Sequence, residues 1–333
     1  MKACNDVLVI QPLPGIGDMI WHLPFLAAIA ATAPDGRIDI LARPRSRADQ
    51  LLSAVVHVNE VLWLERDNGE HEGLHGLLRL SRQLRARSYR EAWILHNSAR
   101  YALLTRLAGV PEVIGYGVGA QRLFQTRHAA FSHAEAKGHP IDKAALCLHR
   151  LGISVADALP HLPVAADAAA RMHERFAALP RPWIAVGIGS SEPFKQWGAD
   201  RFADLCARIA RAGLGSTILV GGSGEQPLAD NIIVRSGVAV HSALDLSVRD
   251  IAALLAQCAA YVGNDTGFLN LAAATGIPAI GLFGGSPPLA HDDRIHCLLP
   301  EDGSRPWYGA PFMNRIGVNA VMAVLNAYLE ETG

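Results

Sequence analysis

The segment formed by residues 261–288, YVGNDTGFLNLAAATGIPAIGLFGGSPP, constrains the fold more than any other part of the chain. Two short apolar runs, at 259–262 and 278–283, have the length and the flanking residues of buried parallel strands. Between them, 263–267 (GNDTG) is typical of a turn and 268–275 of a short alanine-rich helix. The segment therefore predicts a strand, a polar turn, a crossover helix and a second parallel strand.

The turn of this unit carries Asp265 and Thr266 at the start of the helix. The N-terminus of a helix presents free backbone N–H groups and a partial positive charge, which favour phosphate oxygens. The two side chains are placed either to cap the helix or to reach a ligand. The turn by itself leaves both interpretations open.

Runs of strand length alternate with helical stretches of about ten residues along the chain, a pattern typical of doubly wound parallel α/β sheets. Because 333 residues are many for one core, we predict two domains, 1–160 and 161–312, followed by a closing amphipathic helix within 313–333. Polar loops are expected at 128–140 and after Pro288. The other predicted strands are 6–11, 37–41, 60–64, 92–96, 113–117, 183–188, 216–220 and 238–241.

Composition and charge exclude several classes of protein. The net charge is −1 and the isoelectric point is about 6.9, so no overall basic surface for nucleic acid is expected. The five cysteines include no CxxC pair, which favours reduced and mostly buried thiols in a cytoplasmic compartment over disulfides or zinc ligands. We find no signal peptide and no run near the ~20 apolar residues of a membrane-spanning helix. The protein is expected to be cytoplasmic, or at most peripheral to a membrane.

Three predicted strand ends in the second half carry polar turns, at 189–195, 221–225 and 263–267. In a doubly wound sheet such ends meet at one edge, whatever their separation in sequence. Together they offer Lys195, several hydroxyl groups, Glu225 and a helix N-terminus. A nucleotide diphosphate needs positive charge and N–H donors for its phosphates and a carboxylate for its ribose. The alternatives are a surface lysine and a solvated turn.

The first predicted strand leads into PLPGIGD, where Gly15, Gly17 and Asp18 precede a helix expected from residue 19. A GxG without a third glycine is weak support for an NAD site. After the second strand, Arg43, Arg45 and Arg47 lie where open α/β sheets bind ligands. They are predicted either to meet an anionic acceptor or to be solvated loop residues.

The chain contains four longer motifs, PGIGDMIWHLPFLAAIA, SSEPFKQWGADRFADLCARI, VGGSGEQ and GNDTGFLNLAAATGIPAIGLFG. Through these motifs it resembles glycosyltransferase family 9, the ADP-heptose lipopolysaccharide heptosyltransferases, nearly from end to end. The resemblance implies a GT-B fold, in which two Rossmann-like domains face a cleft. The N-terminal domain would bind the acceptor and the C-terminal domain the nucleotide sugar, and the last helix would cross back to the N-terminal domain.

The resemblance also implies roles for individual residues. Asp18 matches the general base of an inverting transfer, although a helix cap is the structural alternative. No metal and no cofactor is expected, so Lys195 and helix dipoles would meet the charge of the leaving diphosphate. The residues that match the donor site are Gly17, Ser190, Ser191, Lys195, Glu225, Asp265, Thr266 and Gly267.

Two positions depart from the family pattern. Asn270 stands where the family usually has histidine, and Gly198 follows Trp197 where the family motif has proline. Asparagine can hydrogen-bond a phosphate or a sugar hydroxyl but carries no positive charge. Asn270 is therefore predicted to contact the donor. Because it stands in place of the histidine, the sequence does not fix the identity of the donor sugar.

The function we expect is heptose transfer from ADP-heptose to a lipopolysaccharide core or a related anionic glycan, at the inner face of a membrane. One alternative is a transferase of the same fold that uses another nucleotide sugar, or a protein or small-molecule acceptor. A second is a non-catalytic module that binds nucleotide sugars, and a third is an NAD-dependent oxidoreductase.

Overall fold

The computed structural model describes residues 6–66, 68–289 and 291–332. It divides into two compact units, Met1–Pro160 and His161–Gly333. Within the described residues, each unit contains a six-stranded sheet in which every pair of neighbouring strands is parallel. The prediction of two doubly wound α/β sheets is confirmed.

The first unit alternates strands and helices in chain order. Its strands are β1 (Val7–Gln11), β2 (Ile38–Ala42), β3 (Val58–Trp63), β4 (Glu91–Ile94), β5 (Glu112–Gly115) and β6 (Arg127–His128). Its α-helices are α1 (Ile16–Ala30), α2 (Ala48–Leu51), α3 (Gly73–Arg85), α4 (Ala99–Leu107) and α5 (Pro140–Arg150).

The second unit repeats this plan. Its strands are β7 (Trp183–Gly187), β8 (Ser216–Val220), β9 (Val240–Ser242), β10 (Ala260–Asn264), β11 (Ala279–Leu282) and β12 (Ile295–Leu298). Its α-helices are α6 (Ala166–Arg175), α7 (Ala199–Arg211), α8 (Gln226–Ser236), α9 (Val248–Leu255), α10 (Gly267–Ala274) and α11 (Val318–Thr332).

The strand orders of the two sheets are equivalent. The first sheet runs β3-β2-β1-β4-β5-β6 and the second β12-β11-β10-β7-β8-β9, so the direction of winding reverses between β1 and β4 and between β7 and β10. Strands β1, β7 and β10, which lie beside these reversals, are buried on both faces, which is why polar residues occur only at their ends, as Gln11 and Asn264. Ligands of open α/β sheets bind at such reversals, beyond the carboxyl ends of the strands.

Glycine is required where Tyr261 lies in the second sheet. A Cβ atom at Gly187 or Gly263 would overlap the phenol of this fully buried residue. Gly187 lies at the end of β7 and Gly263 lies near the end of β10, so both glycines let the tyrosine ring pack beside the winding reversal. The backbone next to the predicted donor turn is therefore fixed by packing.

The structure corrects several predicted elements. Helix α1 begins at Ile16 and not at residue 19, because the turn of 12–15 is shorter than expected. The segments expected to be polar loops contain the edge strands β6 and β12, and α8 had no predicted counterpart. Edge strands need less apolar surface because one of their sides lacks a neighbouring strand.

Helix α11 packs its apolar residues Val321 and Leu325 into the core of the second unit. Its predicted return to the N-terminal domain stays a prediction. Over the described ranges, no helix combines the length and the apolarity needed to cross a bilayer. Of the cysteines, Cys147, Cys206 and Cys258 are buried free thiols and Cys297 is a partly buried one, whereas Cys4 lies outside the described residues.

Candidate functional site

Asn264, the last residue of β10, connects the two strands at the winding reversal of the second sheet. It is fully buried, and its amide nitrogen lies 3.1 Å from the carbonyl oxygens of Ile188 and Gly189 and from Oε1 of Gln196. Its amide oxygen accepts a hydrogen bond from the backbone N–H of Trp197 at 3.1 Å. One side chain thus fixes both ends of the connection that carries Lys195. Sequence reasoning did not single out this residue, although it directly precedes Asp265.

Trp197 anchors the same connection from its other side. Its indole is buried and donates a hydrogen bond to the carbonyl oxygen of Ile316 at 2.9 Å. Gly198, which follows it, has φ +103°, a value that the ring of proline does not allow. A proline at this position would therefore need a different backbone conformation from the one that Gly198 adopts here.

Lys195 and Asp265 form an ion pair between the connection after β7 and the turn after β10. Their Nζ and Oδ2 atoms are 2.9 Å apart, and each side chain is only 14% exposed. The Ser286 hydroxyl donates to the same Asp265 oxygen at 2.6 Å. Burial opposes the charge on Lys195, but Asp265 and then Glu192 outweigh this effect and raise the pKa of the lysine. Lys195 is thus a fixed, protonated ammonium group.

Asp265 is not the cap of helix α10. The N-cap residue is Thr266, whose backbone is extended and whose hydroxyl makes no capping hydrogen bond to the helix. Gly267 is the first helical residue, so the free N–H groups of the helix begin here. Asn270 is buried and donates to the carbonyl oxygen of Thr266 at 3.1 Å.

Glu225 lies at the end of the short helical turn Ser223–Glu225, directly after β8. Its Oε2 atom accepts the backbone N–H of Gly222 at 2.6 Å. A Cβ atom built on Gly189 would be 3.1 Å from the other carboxylate oxygen, which shows how closely the two strand ends approach. The prediction that the ends of β7, β8 and β10 meet at one edge is thus confirmed for Lys195, Asp265 and Glu225.

Ser190 and Ser191 belong to the connection after β7. The Ser190 hydroxyl donates to the carbonyl oxygen of Glu192 at 2.8 Å, which shapes the loop. Ser191 is exposed. Sequence reasoning missed Glu192 and Tyr308, which lie against Lys195. Tyr308 is remote in sequence and no motif marks it.

Asp18 is the third residue of α1, in the first unit, and Gly17 precedes it in the same turn. Its Oδ2 atom accepts the N–H of Gly15, the residue before the helix, at 2.9 Å. Burial raises the pKa of the Asp18 carboxyl, partly offset by this hydrogen bond and by the charge of Arg45. Asp18 therefore supports the helix start and is at the same time a carboxylate with increased affinity for a proton.

His22 and Gln11 both hydrogen-bond to the backbone carbonyl oxygen of Asp18. Nδ1 of His22 lies 2.6 Å from the carbonyl oxygen of Asp18, and because a carbonyl only accepts, this nitrogen carries the proton. Gln11 donates to the same carbonyl oxygen at 3.3 Å. His22 is fully buried, and burial lowers its pKa to about 4, so the ring is neutral. Its spacing of four residues from Asp18 on one helix face was the available signal in the sequence.

The predicted acceptor residues follow β2. Arg43 precedes a short helical turn, Pro44–Ser46, and the Ser46 hydroxyl donates to the Arg43 carbonyl oxygen at 2.7 Å. Arg45 and Arg47 are exposed, and Arg47 has a left-handed backbone with φ 52°. The structure brings the charge of Arg45 to Asp18.

A further group of basic residues, which we call the cation cluster, consists of Arg66, His96, Arg100 and Lys143. Within the described residues, the hydrogen-bond partners of the three permanent cations are neutral groups, namely the Tyr101 hydroxyl, backbone carbonyl oxygens and the amide oxygen of Asn97. Burial, with the charges of Lys143, Arg43 and Arg66, lowers the pKa of His96 to about 4. The cluster thus places three permanent cations on neutral hydrogen-bond partners within the part of the first unit that the structure describes.

The described residues contain no group of three or more His, Cys, Asp or Glu side chains arranged to hold a metal ion. The acidic pair after Pro288 is engaged locally, because Asp292 forms an ion pair with Arg294 at 2.7 Å.

Curated relatives match most of the chain. It is 28% identical over 317 residues to lipopolysaccharide heptosyltransferase 2 of Escherichia coli and 27% identical over 316 residues to that of Salmonella typhimurium. Both alignments cover 88% of this chain and 88% of the relative. A solved structure of E. coli ADP-heptose lipopolysaccharide heptosyltransferase II covers 98% of this chain, with 99% of its own length matched, a TM-score of 0.78 and 22% identity.

This structural similarity confirms the predicted GT-B fold. The family model of glycosyltransferase family 9 (heptosyltransferase) matches residues 77–293, which is more than half of the chain and includes every predicted donor residue of the second unit. The chain therefore belongs to glycosyltransferase family 9, and it is a glycosyltransferase of the heptosyltransferase type.

Proposed function

We propose that the protein transfers a heptose from ADP-heptose to a lipopolysaccharide core or a related glycan, with inversion at the anomeric carbon. The observation that carries the donor half is the Lys195–Asp265 pair between the ends of β7 and β10, with Glu225 of the β8 end close to Gly189. The names of the relatives, lipopolysaccharide heptosyltransferase 2, support the heptose and the acceptor class.

In this proposal the second unit binds the nucleotide. Lys195 and the free N–H groups at the start of α10 meet the diphosphate, because both provide positive charge at fixed positions. Ser190 and Ser191 add hydroxyl donors to the phosphates. Glu225 accepts hydrogen bonds from the ribose hydroxyls, since its second carboxylate oxygen faces the same strand ends.

Asp18 acts as the general base. It takes the proton of the acceptor hydroxyl while that oxygen forms a bond to the anomeric carbon and the bond from this carbon to the diphosphate oxygen breaks. A single displacement of this kind inverts the configuration. The raised pKa of Asp18 favours proton uptake, and His22 and Gln11 hold its turn. Lys195 stabilises the leaving ADP, so no metal ion is part of the proposal.

The cation cluster of the first unit supports an anionic acceptor. Buried or half-buried cations whose partners are neutral gain more from an incoming phosphate or carboxylate than fully solvated ones. With Arg45 near Asp18, the basic groups lie in the same unit as the proposed base. We propose that Arg43, Arg45 and Arg47 contact the same acceptor, and that the protein meets lipid-linked acceptors as a cytoplasmic protein peripheral to the inner membrane.

The direct test is ADP release from ADP-heptose in the presence of a lipopolysaccharide core acceptor, with and without EDTA. Activity that persists in EDTA and disappears in Asp18→Asn is expected. Lys143→Ala should raise the KM for the acceptor and leave the KM for ADP-heptose unchanged, because Lys143 belongs to the acceptor side. Full activity of Asp18→Asn would exclude Asp18 as the base.

Asn270 favours a second candidate, a transferase of the same fold with another nucleotide sugar. Its buried amide donates to the carbonyl oxygen of Thr266. Because an amide is neutral, Asn270 cannot supply the positive charge of the family's histidine. A panel of nucleotide sugars assayed for nucleotide release separates the two. Turnover with a UDP-sugar alone would replace the heptose proposal, and binding without turnover of any donor would indicate a non-catalytic binding module. Nicotinamide fluorescence in the presence of the protein tests the oxidoreductase alternative.

A further inference from the structure

Glu192 forms an ion pair with Lys195, whose ammonium group is proposed to bind the donor diphosphate. Its Oε2 atom lies 3.2 Å from Nζ of Lys195, on the connection after β7. Its other carboxylate oxygen accepts the Tyr308 hydroxyl at 2.6 Å. The ring of Tyr308 also lies near Lys195, with the ammonium nitrogen 5.5 Å from its centre. Glu192, Tyr308 and Lys195 thus all contact one another.

The two carboxylates on Lys195 differ in how firmly they are held. Asp265 is 14% exposed and is anchored by the Ser286 hydroxyl. The Glu192 side chain is 31% exposed and lies on a loop, and its other partners, Tyr308 and Ser191, are both exposed. Glu192 can therefore swing into solvent at lower cost than Asp265, which would remain to orient the lysine.

The charges make Glu192 and a diphosphate competitors. Lys195 contributes one positive charge, whereas Asp265 and Glu192 together contribute two negative charges. The net charge of the three side chains is therefore negative even without a bound phosphate. An incoming diphosphate adds further negative charge at the same ammonium group. The Tyr308 hydroxyl, a donor now used by Glu192, would be released to the phosphates when Glu192 leaves.

We propose that Glu192 is an affinity-determining residue of the proposed donor site, because the diphosphate of the donor has to displace its contact with Lys195. This inference rests on the proposed donor site. It goes beyond that proposal because Glu192 weakens donor binding and aids release of the nucleoside diphosphate product, and does not itself bind the donor.

The test is calorimetric titration of the full-length wild type and Glu192→Gln with ADP and, separately, with inorganic pyrophosphate. Glutamine keeps the size of the side chain and removes its charge. We expect both probes to bind Glu192→Gln about tenfold more tightly, equivalent to about 1.4 kcal/mol, the scale of a partly screened charge at a protein surface. Glu174→Gln, an exposed glutamate of α6 outside the site, makes the same change in net charge and should alter affinity less than twofold.

A second background shows whether Glu192 acts by competing for Lys195 or only through its negative charge near the ligand. In a Lys195→Met background the Glu192→Gln change should alter affinity by less than threefold, because the contested ammonium group is gone. Weaker binding or unchanged binding of both probes to Glu192→Gln would overturn the inference, as would failure of either protein to bind pyrophosphate. Tighter pyrophosphate binding without any turnover of ADP-heptose would support the role of Glu192 and refute the proposed function.

Discussion

Replacing Asn264 with alanine should both destabilise the second unit and weaken binding at the proposed donor site. The side chain is fully buried and serves four polar groups, at Ile188, Gly189, Gln196 and Trp197. Alanine satisfies none of them. The connection of 188–198 would then lose the side chain that joins it to β10.

The expected magnitude follows from what the amide can offer. Its nitrogen carries two hydrogens for three acceptors at 3.1 Å, so one hydrogen is shared, and its oxygen accepts one N–H. Three hydrogen bonds at about 1 kcal/mol each give about 3 kcal/mol of lost stability, with the orphaned N–H of Trp197 adding to the upper end. For a unit of this size that corresponds to a melting temperature lower by about 6–12 °C.

Thermal unfolding followed by tryptophan fluorescence measures the loss, and titration with ADP measures the effect on the site. Asn319→Ala is the matched control, because this exposed residue of α11 accepts a side-chain hydrogen bond from Arg208 at the surface, and the change should alter stability by less than about 0.5 kcal/mol. Asn264→Asp should be at least as destabilising as alanine at neutral pH, because a carboxylate would face two carbonyl oxygens. A melting temperature of Asn264→Ala within 1 °C of the wild type would refute the reasoning.

Three further outcomes are expected. Asp18→Asn should reduce the transfer rate at least about 100-fold without lowering stability, because burial raises the pKa of this carboxyl and disfavours its charged form in the fold; a slow but unstable variant would contradict this. Because the folded protein disfavours the charged ring of His22, the free energy of unfolding should fall by up to about 3 kcal/mol as the pH is lowered from 6.5 to 4. Denaturant titrations at several pH values should show a smaller decline for His22→Gln. Lys195→Ala should weaken ADP binding about 10- to 100-fold in calorimetric titrations, whereas an unchanged affinity would place the diphosphate elsewhere.

The central strands could be predicted from sequence because both of their faces are buried. VLVI of β1 and WIAVG of β7 are unbroken apolar runs, and the structure has strands there. The edge strand β12 was missed because IHCL has an exposed histidine and lies in a polar segment. Helix α8 was missed because its start, Gln226 followed by proline, looks like a continuation of the glycine-rich turn, although proline is common in the first turn of a helix.

The site was predictable as a set of strand ends but not as a set of contacts. Lys195 and Asp265 were placed at one edge by topology alone. Their ion pair depends on the length of the connection after β7 and on how Asn264 fixes it, which no local pattern encodes. Tyr308 reaches Glu192 from a loop more than a hundred residues away in sequence, and only tertiary structure reveals this contact.

The connections after β1 and β7 occupy equivalent places in their sheets but differ in length. Residues 12–15 join β1 to α1, whereas residues 188–198 join β7 to α7. Residues 190–196 of the longer connection are partly or fully exposed, so their amides should open locally at a lower free energy than the sheet. The donor site would then have an opening equilibrium of its own, visible as fast hydrogen exchange in 190–196. Donor binding would slow that exchange by stabilising the closed connection, and by mass action the same ligand concentration would also raise the free energy of global unfolding.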